Sequence, residues 1–410
     1  MSIDAGTNLL LKSDLSSSIV SKSQNIPKNP KLEGLSASVA MSILDRLQQN
    51  PKVLIKNPAE VQRKIRQIIL DGYNKLLVIS DFDYTLSRYR DDKNEKCLTT
   101  HAIFDVCTAQ KSPALAKKLQ DLAKKYRDDK NEKCLTTHAI FDVCTAQKSP
   151  ALAKKLQDLA KKYLPIEFDP HMSMEEKTPY MDDWWRISHK YIVEEKFTLE
   201  DIEGFVAKAK ILLRDAAVEF VRSVEAHNVP LILFSAGIGN IIEIILKRNL
   251  GHVPATLHLI SNMMGFDENN VCASFSEPLI HTFCKNSSVI TGERPFFHHV
   301  RNRSNVILLG DSLGDVAMDV GIESEGTALK IGYLNFNFEQ LMEKYLEVYD
   351  IVLVDNQSME VPLEIFRFCG FVHSQSETHL NDYFNADVIT EKTQTTDDEL
   401  VSSPAANVIA

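Results

Sequence analysis

Three short segments of the 410-residue chain carry carboxylates or hydroxyls where buried strands are due to end. The first is Ser80-Asp81-Phe82-Asp83-Tyr84-Thr85-Leu86, in which two aspartates leave the apolar run Leu76–Ile79 together. Carboxylates delivered from an apolar strand are costly to desolvate, so they call for a cation or strong donors beside them. An ordinary Asp-x-Asp turn is the alternative. The second is Leu231–Phe234 followed by Ser235-Ala236-Gly237-Ile238-Gly239. A hydroxyl, two glycines and a helix start make a phosphate seat, because backbone N–H groups can approach and the helix end favours an anion. A turn capped by Ser235 would read the same way. The third is Val306–Leu309 followed by Gly310-Asp311-Ser312-Leu313-Gly314-Asp315. Asp311 and Asp315 suit an oxygen shell for a hard cation, and Mg²⁺ fits a site of carboxylates, waters and a substrate phosphate. No His/Cys cluster recommends zinc.

These segments need a scaffold that brings strand ends together. Apolar runs at Leu76–Ser80, Pro230–Phe234, Leu257–Ile260, Val306–Leu309 and Ile351–Val354 predict strands. Helical patterns at Leu212–Ala226, Ile241–Leu250 and Phe338–Val348 separate most of them. That alternation argues for a parallel sheet covered on both faces, in which ligands bind beyond the carboxyl ends of the strands. Asn57-Pro58-Ala59-Glu60 reads as a helix start, with Val61, Ile65, Ile68 and Ile69 on one face and Gly72 as the stop. The stretch after Arg88 is almost wholly helical in pattern, as in Ser149–Tyr163, where Leu152, Leu156 and Leu159 share a face. The predicted fold is α/β, with a mainly helical cap inserted after the first strand. Residues 46–88 and 211–370 form the core, and 89–210 form the cap. Residues 1–45 are read as a disordered extension and 371–410 as an acidic disordered tail.

The cap contains an internal repeat. The 37-residue segment Tyr89–Lys125 recurs letter for letter as Tyr126–Lys162. Solenoid repeats drift at solvent-facing positions and need about three units to stack. Identity at Lys93/Lys130 and Asn94/Asn131 therefore points to a recent in-frame duplication, or a misassembled gene model, rather than a binding array.

Composition narrows the functional classes. Hydrophobic residues at 44% and charged residues at 25% are those of a globular chain. No apolar run approaches the roughly 18 residues of a membrane helix. A net charge of −10 argues against a general nucleic-acid surface. The seven cysteines form no C-x-x-C pair and read as reduced thiols of a cytoplasmic protein.

The three segments, in this order and with a lysine between the last two, resemble the haloacid-dehalogenase superfamily of phosphotransfer enzymes. The resemblance implies Asp81 as nucleophile and Asp83 as general acid/base. It also implies Mg²⁺ held by Asp81, the backbone carbonyl of Asp83 and Asp311, with Asp315 supporting. Family order marks Lys285, in Lys285-Asn286-Ser287-Ser288, as the lysine that neutralises phosphate, and Ser235 and Ala236 as its seat. More narrowly, Asp81–Arg88, Phe234–Gly239, Leu308–Asp315, Leu329–Asn335 and Tyr349–Val354 look like the cytosolic 5′-nucleotidase III family, over about Leu54 to Cys369. That family hydrolyses pyrimidine nucleoside monophosphates and 7-methylguanosine monophosphate.

The likeness extends into the cap at Ile166–Pro170 and Trp184–His189. Carried over by position, Glu167 and Ser188 bind the nucleotide and Trp185 faces the base. Glu167 can accept from a cytosine amino group or a guanine N–H edge, and tryptophan is the best face for the cationic 7-methylguanine ring. The 7-methylguanosine-preferring branch tends to carry Trp-Trp here, which favours 7-methylguanosine monophosphate as substrate and cytidine monophosphate as a second. Trp184 is assigned to packing. The expected enzyme is a Mg²⁺-dependent 5′-nucleotidase, monomeric, with a small nucleotide as partner and neither polymeric nucleic acid nor membrane. Two readings compete: a phosphatase of the same fold for another phosphomonoester, and a nucleotide-binding protein whose doubled cap segment impairs turnover.

Overall fold

The computed structural model describes residues 30–92, 150–167, 169, 171–208, 211–285, 300, 302–320 and 326–370. Most of the first repeat copy, residues 126–149 of the second, and both chain ends lie outside the described residues.

A seven-stranded sheet is the centre of the fold. In chain order its strands are β1 (Val53–Leu54), β2 (Leu76–Ser80), β3 (Leu231–Ile238), β4 (Leu257–Asn262), β7 (Asn305–Gly310), β8 (Ala328–Leu334) and β9 (Ile351–Val354). Across the sheet they run β1-β9-β8-β7-β2-β3-β4. Every pairing is parallel except β1 with β9 at the edge. The expected parallel α/β sheet is therefore present. The strand preceding the cap is the second, not the first, because the two-residue β1 is too short to show a period. A strand at β8 was not anticipated.

Side-chain alternation along the strands divides the core into two layers. Val78, Leu233, Leu309 and Leu353 face one layer, with Ile65 of α2 (Pro58–Asp71). Ile79, Phe234, Leu308 and Val352 face the other, with Tyr345 and Tyr349. The start of α2 is as the sequence predicts: the Asn57 side chain accepts from the Glu60 N–H at 3.2 Å, and Pro58 occupies the first turn. Residues 30–45, assigned by sequence to a disordered extension, lie in a helix instead. Helix α1 (Pro30–Gln49) buries Val39, Ala40, Ile43, Leu44 and Leu47 against the first layer. Serines and a glycine interrupt its apolar stripe, which hid the period.

The cap leaves the core at Ser87–Arg88 and returns at Leu212–Arg214. These two stretches pair antiparallel: Ser87 lies opposite Leu213, Arg88 N–H donates to Leu212 at 2.9 Å, and Arg214 N–H donates to Leu86 at 3.0 Å. Between them lie α3 (Pro150–Glu167), α4 (Met174–Glu194) and α5 (Leu199–Lys208). Helix α3 begins in the second repeat copy and buries Leu152 and Leu156, so the second copy fills this seat. A hairpin of β5 (Met264–Phe266) and β6 (Cys272–Phe275), placed in the core by sequence, joins the cap instead. Cys272 N–H donates to Phe197, and Phe275 stacks on His189 of α4 at 3.8 Å. The remaining helices are α6 (Ala217–Ala226), α7 (Gly239–Leu250), α8 (Phe338–Val348) and α9 (Glu360–Phe368).

Candidate active site

Strands β2 and β7 are neighbours, paired from Leu76/Asn305 to Ser80/Leu309. Their next residues, Asp81 and Gly310-Asp311, therefore emerge side by side. Asp81 N–H extends the ladder by donating to Leu309 at 3.0 Å. A short helical turn begins at Asp315 and brings that carboxylate back beneath the loop. Carboxylate oxygens of Asp81, Asp311 and Asp315 all lie within 4.8 Å of one another, and all three residues are buried. Gly310 makes this approach possible, because a Cβ there would sit 2.5 Å from Asp315 Cβ and 2.8 Å from Tyr349 Oη.

Lys285 supplies the countercharge. Its Nζ donates to Asp81 Oδ1 and Asp315 Oδ1, both at 2.8 Å, although it lies 204 positions from Asp81 in the chain. Asp315 Oδ2 is held by Asp311 N–H, Ser312 N–H and Ser312 Oγ at 3.1, 2.9 and 2.8 Å. The Asp311 carboxylate has no hydrogen-bond donor among the described residues. One ammonium thus serves three buried acids. Burial pushes Asp81 up to about 6, with Asp315 adding repulsion against the pull of Lys285. Burial, and then Asp315 and Asp81, raise Asp311 well above the usual carboxylate range. Burial alone would lower the Lys285 ammonium, but Asp315 and Asp81 outweigh it and hold it above its ordinary value. An all-oxygen set with excess negative charge is what a hard divalent cation requires, so these residues fit Mg²⁺ on their chemistry.

Asp83 is buried in the loop after β2. The next residue, Tyr84, has φ +58°, a left-handed conformation that is unfavourable for a bulky side chain. Ser235 and Ala236 lie within β3, where the register with β4 slips between Phe234 and Ile238. The strand therefore runs further than the predicted Pro230–Phe234. Ser235 Oγ accepts from Gly237 N–H at 3.1 Å, the local turn that the sequence left open.

The cap contributes from above. Trp185 is 3% exposed, and its indole N–H donates to the Ala236 carbonyl at 3.0 Å, which sets the ring against the end of β3. Trp184 is less buried and stacks on Tyr163 at 5.9 Å. Glu167, at the end of α3, accepts from Thr282 Oγ1 at 3.0 Å. Thr282 belongs to the segment that carries Lys285, so the predicted base-binding and phosphate-binding residues share one wall. Ser188 is buried, and its hydroxyl donates to the Trp184 carbonyl one turn back at 2.8 Å. Its lone pairs alone are left for a ligand.

Sequence reasoning missed several supports. Asn262 Nδ2 donates to Ala236 and Ile280 carbonyls at 2.9 and 2.8 Å, and its Oδ1 accepts from Ile280 N–H at 3.0 Å. It therefore ties the end of β3 to the lysine segment. Tyr345 and Tyr349 hydroxyls donate to the Asp311 and Ser312 carbonyls. His281 Nε2 lies 3.5 Å from Asp182 of the cap. Asn262 closes β4 just past the predicted Leu257–Ile260 run, where the sequence pattern gives no sign of its role.

A family profile described as pyrimidine 5′-nucleotidase (UMPH-1) matches residues 124–370, more than half of the chain. Its match begins at the end of the first repeat copy, so the duplication separates it from Asp81. A Caenorhabditis elegans protein provisionally named cytosolic 5′-nucleotidase 3 is 43% identical over 333 residues, 81% of this chain and 79% of its own length. A Gallus gallus 7-methylguanosine phosphate-specific 5′-nucleotidase is 35% identical over 320 residues, 78% of this chain and 96% of its own. The crystal structure of cytosolic 5′-nucleotidase IIIB bound to cytidine superposes with a TM-score of 0.64 at 27% identity, covering 80% of this chain and 98% of that one. With its strand-end acids on a parallel α/β sheet, the chain belongs to the pyrimidine 5′-nucleotidase family.

Proposed function

We propose that this 5′-nucleotidase is Mg²⁺-dependent and hydrolyses nucleoside 5′-monophosphates through an aspartyl-phosphate on Asp81. It favours 7-methylguanosine monophosphate and also takes cytidine monophosphate. The observation that carries the reading is the Lys285 ammonium bonded to both Asp81 and Asp315, beside Asp311 and under a cap that presents Glu167 and Trp185.

A carboxylate attacking a phosphate dianion at 4 Å meets roughly 8 kcal/mol of repulsion at an effective dielectric of 20. Lys285 offsets part of this from a fixed position. Asp81, the backbone carbonyl of Asp83 and Asp311, supported by Asp315, would hold Mg²⁺, which when bound supplies the further positive charge that phosphoryl transfer needs. Ser235 and the Ala236 backbone seat the phosphate. An Asp81 oxygen bonds to phosphorus as the bond from phosphorus to the 5′-oxygen breaks, and Asp83 gives its proton to that leaving oxygen. Asp83 then takes a proton from water as the water oxygen attacks phosphorus. The Asp81–phosphate bond breaks, releasing phosphate and returning the Asp81 carboxylate.

In the cap, Glu167 accepts from the base edge and Trp185 offers its face, its orientation fixed by the bond to Ala236. Ser188 adds an acceptor. The names of the chicken and other vertebrate relatives favour 7-methylguanosine monophosphate, and the cytidine complex of the IIIB structure favours a second, pyrimidine substrate. The cytosolic designation of the C. elegans relative supports a cytoplasmic location. No helix among the described residues is long and apolar enough to cross a membrane. We take the working unit to be a monomer acting on a small nucleotide, not on polymeric nucleic acid.

The test is phosphate release from 7-methylguanosine, cytidine and adenosine monophosphates, with Mg²⁺ and with chelator. Mg²⁺-dependent release in that order of preference supports the reading. No release from any of the three, or full activity in Asp81→Asn, ends it.

A further inference from the structure

The cap returns to the core at Arg214, whose side chain points not outward but into the floor of the site. Only 2% of the residue is exposed, and no carboxylate among the described residues forms an ion pair with it. Its donors are spent on backbone instead. Nε donates to the Thr85 carbonyl at 2.7 Å, Nη2 to the Tyr84 carbonyl and to Asn335 Oδ1 (the latter at 2.9 Å), and Nη1 to the Asn356 carbonyl. The guanidinium also lies 3.9 Å over the ring of Tyr333. Burial pulls its pKa down to about 10, which leaves it cationic at neutral pH.

These bonds converge on one strained residue. Tyr84 sits at φ +58°, directly after Asp83. The peptide between Asp83 and Tyr84 is fixed by Tyr84 N–H donating to Ser87 Oγ at 2.8 Å. The peptide after Tyr84 is fixed by Arg214 and by Asn335 Nδ2, which donates to the Tyr84 carbonyl at 3.1 Å. Both peptides flanking Tyr84 are therefore held, and a conformation that a tyrosine disfavours on its own is imposed from outside. That conformation sets where Asp83 presents its carboxyl and carbonyl. Arg214 is also a backbone partner in the antiparallel hinge, through its N–H to Leu86 at 3.0 Å.

We propose that Arg214 is a positioning residue that clamps the Tyr84 and Thr85 carbonyls, thereby fixing Asp83 for proton transfer and tying that loop to the return strand of the cap. This rests on the nucleotidase reading above, in which Asp83 is the acid/base. A guanidinium suits the task because its planar fork reaches several carbonyls at once, as an ammonium cannot.

The experiment compares wild type, Arg214→Met, Arg214→Lys and Asn335→Ala, each checked for folding by circular dichroism and melting temperature. The readout is Mg²⁺-dependent hydrolysis of cytidine monophosphate. Displacing a reacting group by about 1 Å costs on the order of 10²-fold in rate, so Arg214→Met should lose about that in kcat. KM should change less than about threefold, because Arg214 touches neither Glu167 nor Lys285. Arg214→Lys, which keeps a donor to one carbonyl, should recover about tenfold of the loss. Asn335→Ala removes one donor to Tyr84 and one acceptor of the Arg214 guanidinium, and should lower kcat about fivefold with KM unchanged. It stands as the deciding variant if Arg214→Met does not fold. A folded Arg214→Met within threefold of the wild-type kcat, or Asn335→Ala at full kcat, overturns the inference and leaves the nucleotidase reading intact. A wild type without activity sinks that reading instead.

Discussion

Replacing Lys285 by methionine keeps an unbranched side chain, one atom shorter, and removes its charge. Each Nζ–carboxylate contact at 2.8 Å is worth about 6 kcal/mol at an effective dielectric of 20, before the cost of burying the ammonium. Truncating one partner of a buried pair typically costs about 3–5 kcal/mol. The acids can soften this by taking up a proton. Asp81 titrates near 6 even with Lys285 beside it, and protonating such a group at pH 7 costs about 1.4 kcal/mol. The expected loss of stability at pH 7 is therefore at the low end, about 3 kcal/mol. The sign of its pH dependence follows. In the variant the folded acids bind protons that the unfolded chain releases, so the folded state is favoured as pH falls. Denaturant titrations of the metal-free proteins should show a smaller gap between variant and wild type at pH 6 than at pH 8. Phosphate release should fall about 10²–10³-fold in kcat, the usual cost of losing one fixed charge-stabilising donor. A variant within threefold of the parent's kcat, or one whose stability gap does not widen with pH, would refute the electrostatic account.

Three further outcomes follow from the geometry. His189 is buried against Phe275, and burial followed by the charge of Arg186 holds its pKa down at about 3. The unfolded chain therefore binds a proton that the fold refuses once pH drops below about 6.5, and stability should fall by about 2 kcal/mol between pH 7 and 5. His189→Phe should remove that slope in urea titrations. Asn262→Leu strands the N–H and carbonyl of Ile280, leaves the Ala236 carbonyl to Trp185 alone, and should cost about 3 kcal/mol, with a loss of kcat that reflects looser placement of Ala236 and the lysine segment. Excising one repeat copy gives the same product whichever is removed and shortens the connection from Asp92 to Pro150 by 37 residues. Closing the shorter connection should add about 1 kcal/mol of stability. A lower melting temperature in the excised protein would mean that the first copy contributes contacts of its own.

The sheet was legible because buried parallel strands are short apolar runs. Leu76–Ser80 and Ile351–Val354 are found to the residue. Phe338–Val348 was equally clear as a helix. Ala328–Leu334 escaped because Lys330 and Gly332 interrupt its run. Yet both have structural reasons: Lys330 Nζ turns to Val316 and Asp319, and a Cβ at Gly332 would meet the Tyr349 ring. The two acid-bearing strand ends were legible too, and the structure brings Asp81, Asp311, Asp315 and Lys285 together. What single-sequence reasoning cannot supply is pairing across hundreds of positions. Nothing near Arg214 or Asn262 announces that their side chains turn inward to satisfy loop carbonyls. Polar residues of that kind carry no period, and their partners are backbone atoms that every residue possesses.

The location of those hidden polar residues has a physical cause. Each loop of the candidate site leaves the ordered ladder where backbone carbonyls lose their partners and must find donors from elsewhere. Tyr84, Thr85, Ala236, Asp311 and Ser312 all have carbonyls in this condition, and Arg214, Asn262, Tyr345 and Tyr349 supply the donors. Loops held this way resist the mutual repulsion of Asp81, Asp311 and Asp315, which would otherwise drive the acids apart. Were all three ionised beside a cationic Lys285, that cluster would carry two excess negative charges, the complement of one divalent ion. The arrangement is poised for a cation because its loops cannot relax to relieve that charge. The ties to these carbonyls, the Arg214 guanidinium among them, hold the acids together as a set that could take a divalent ion.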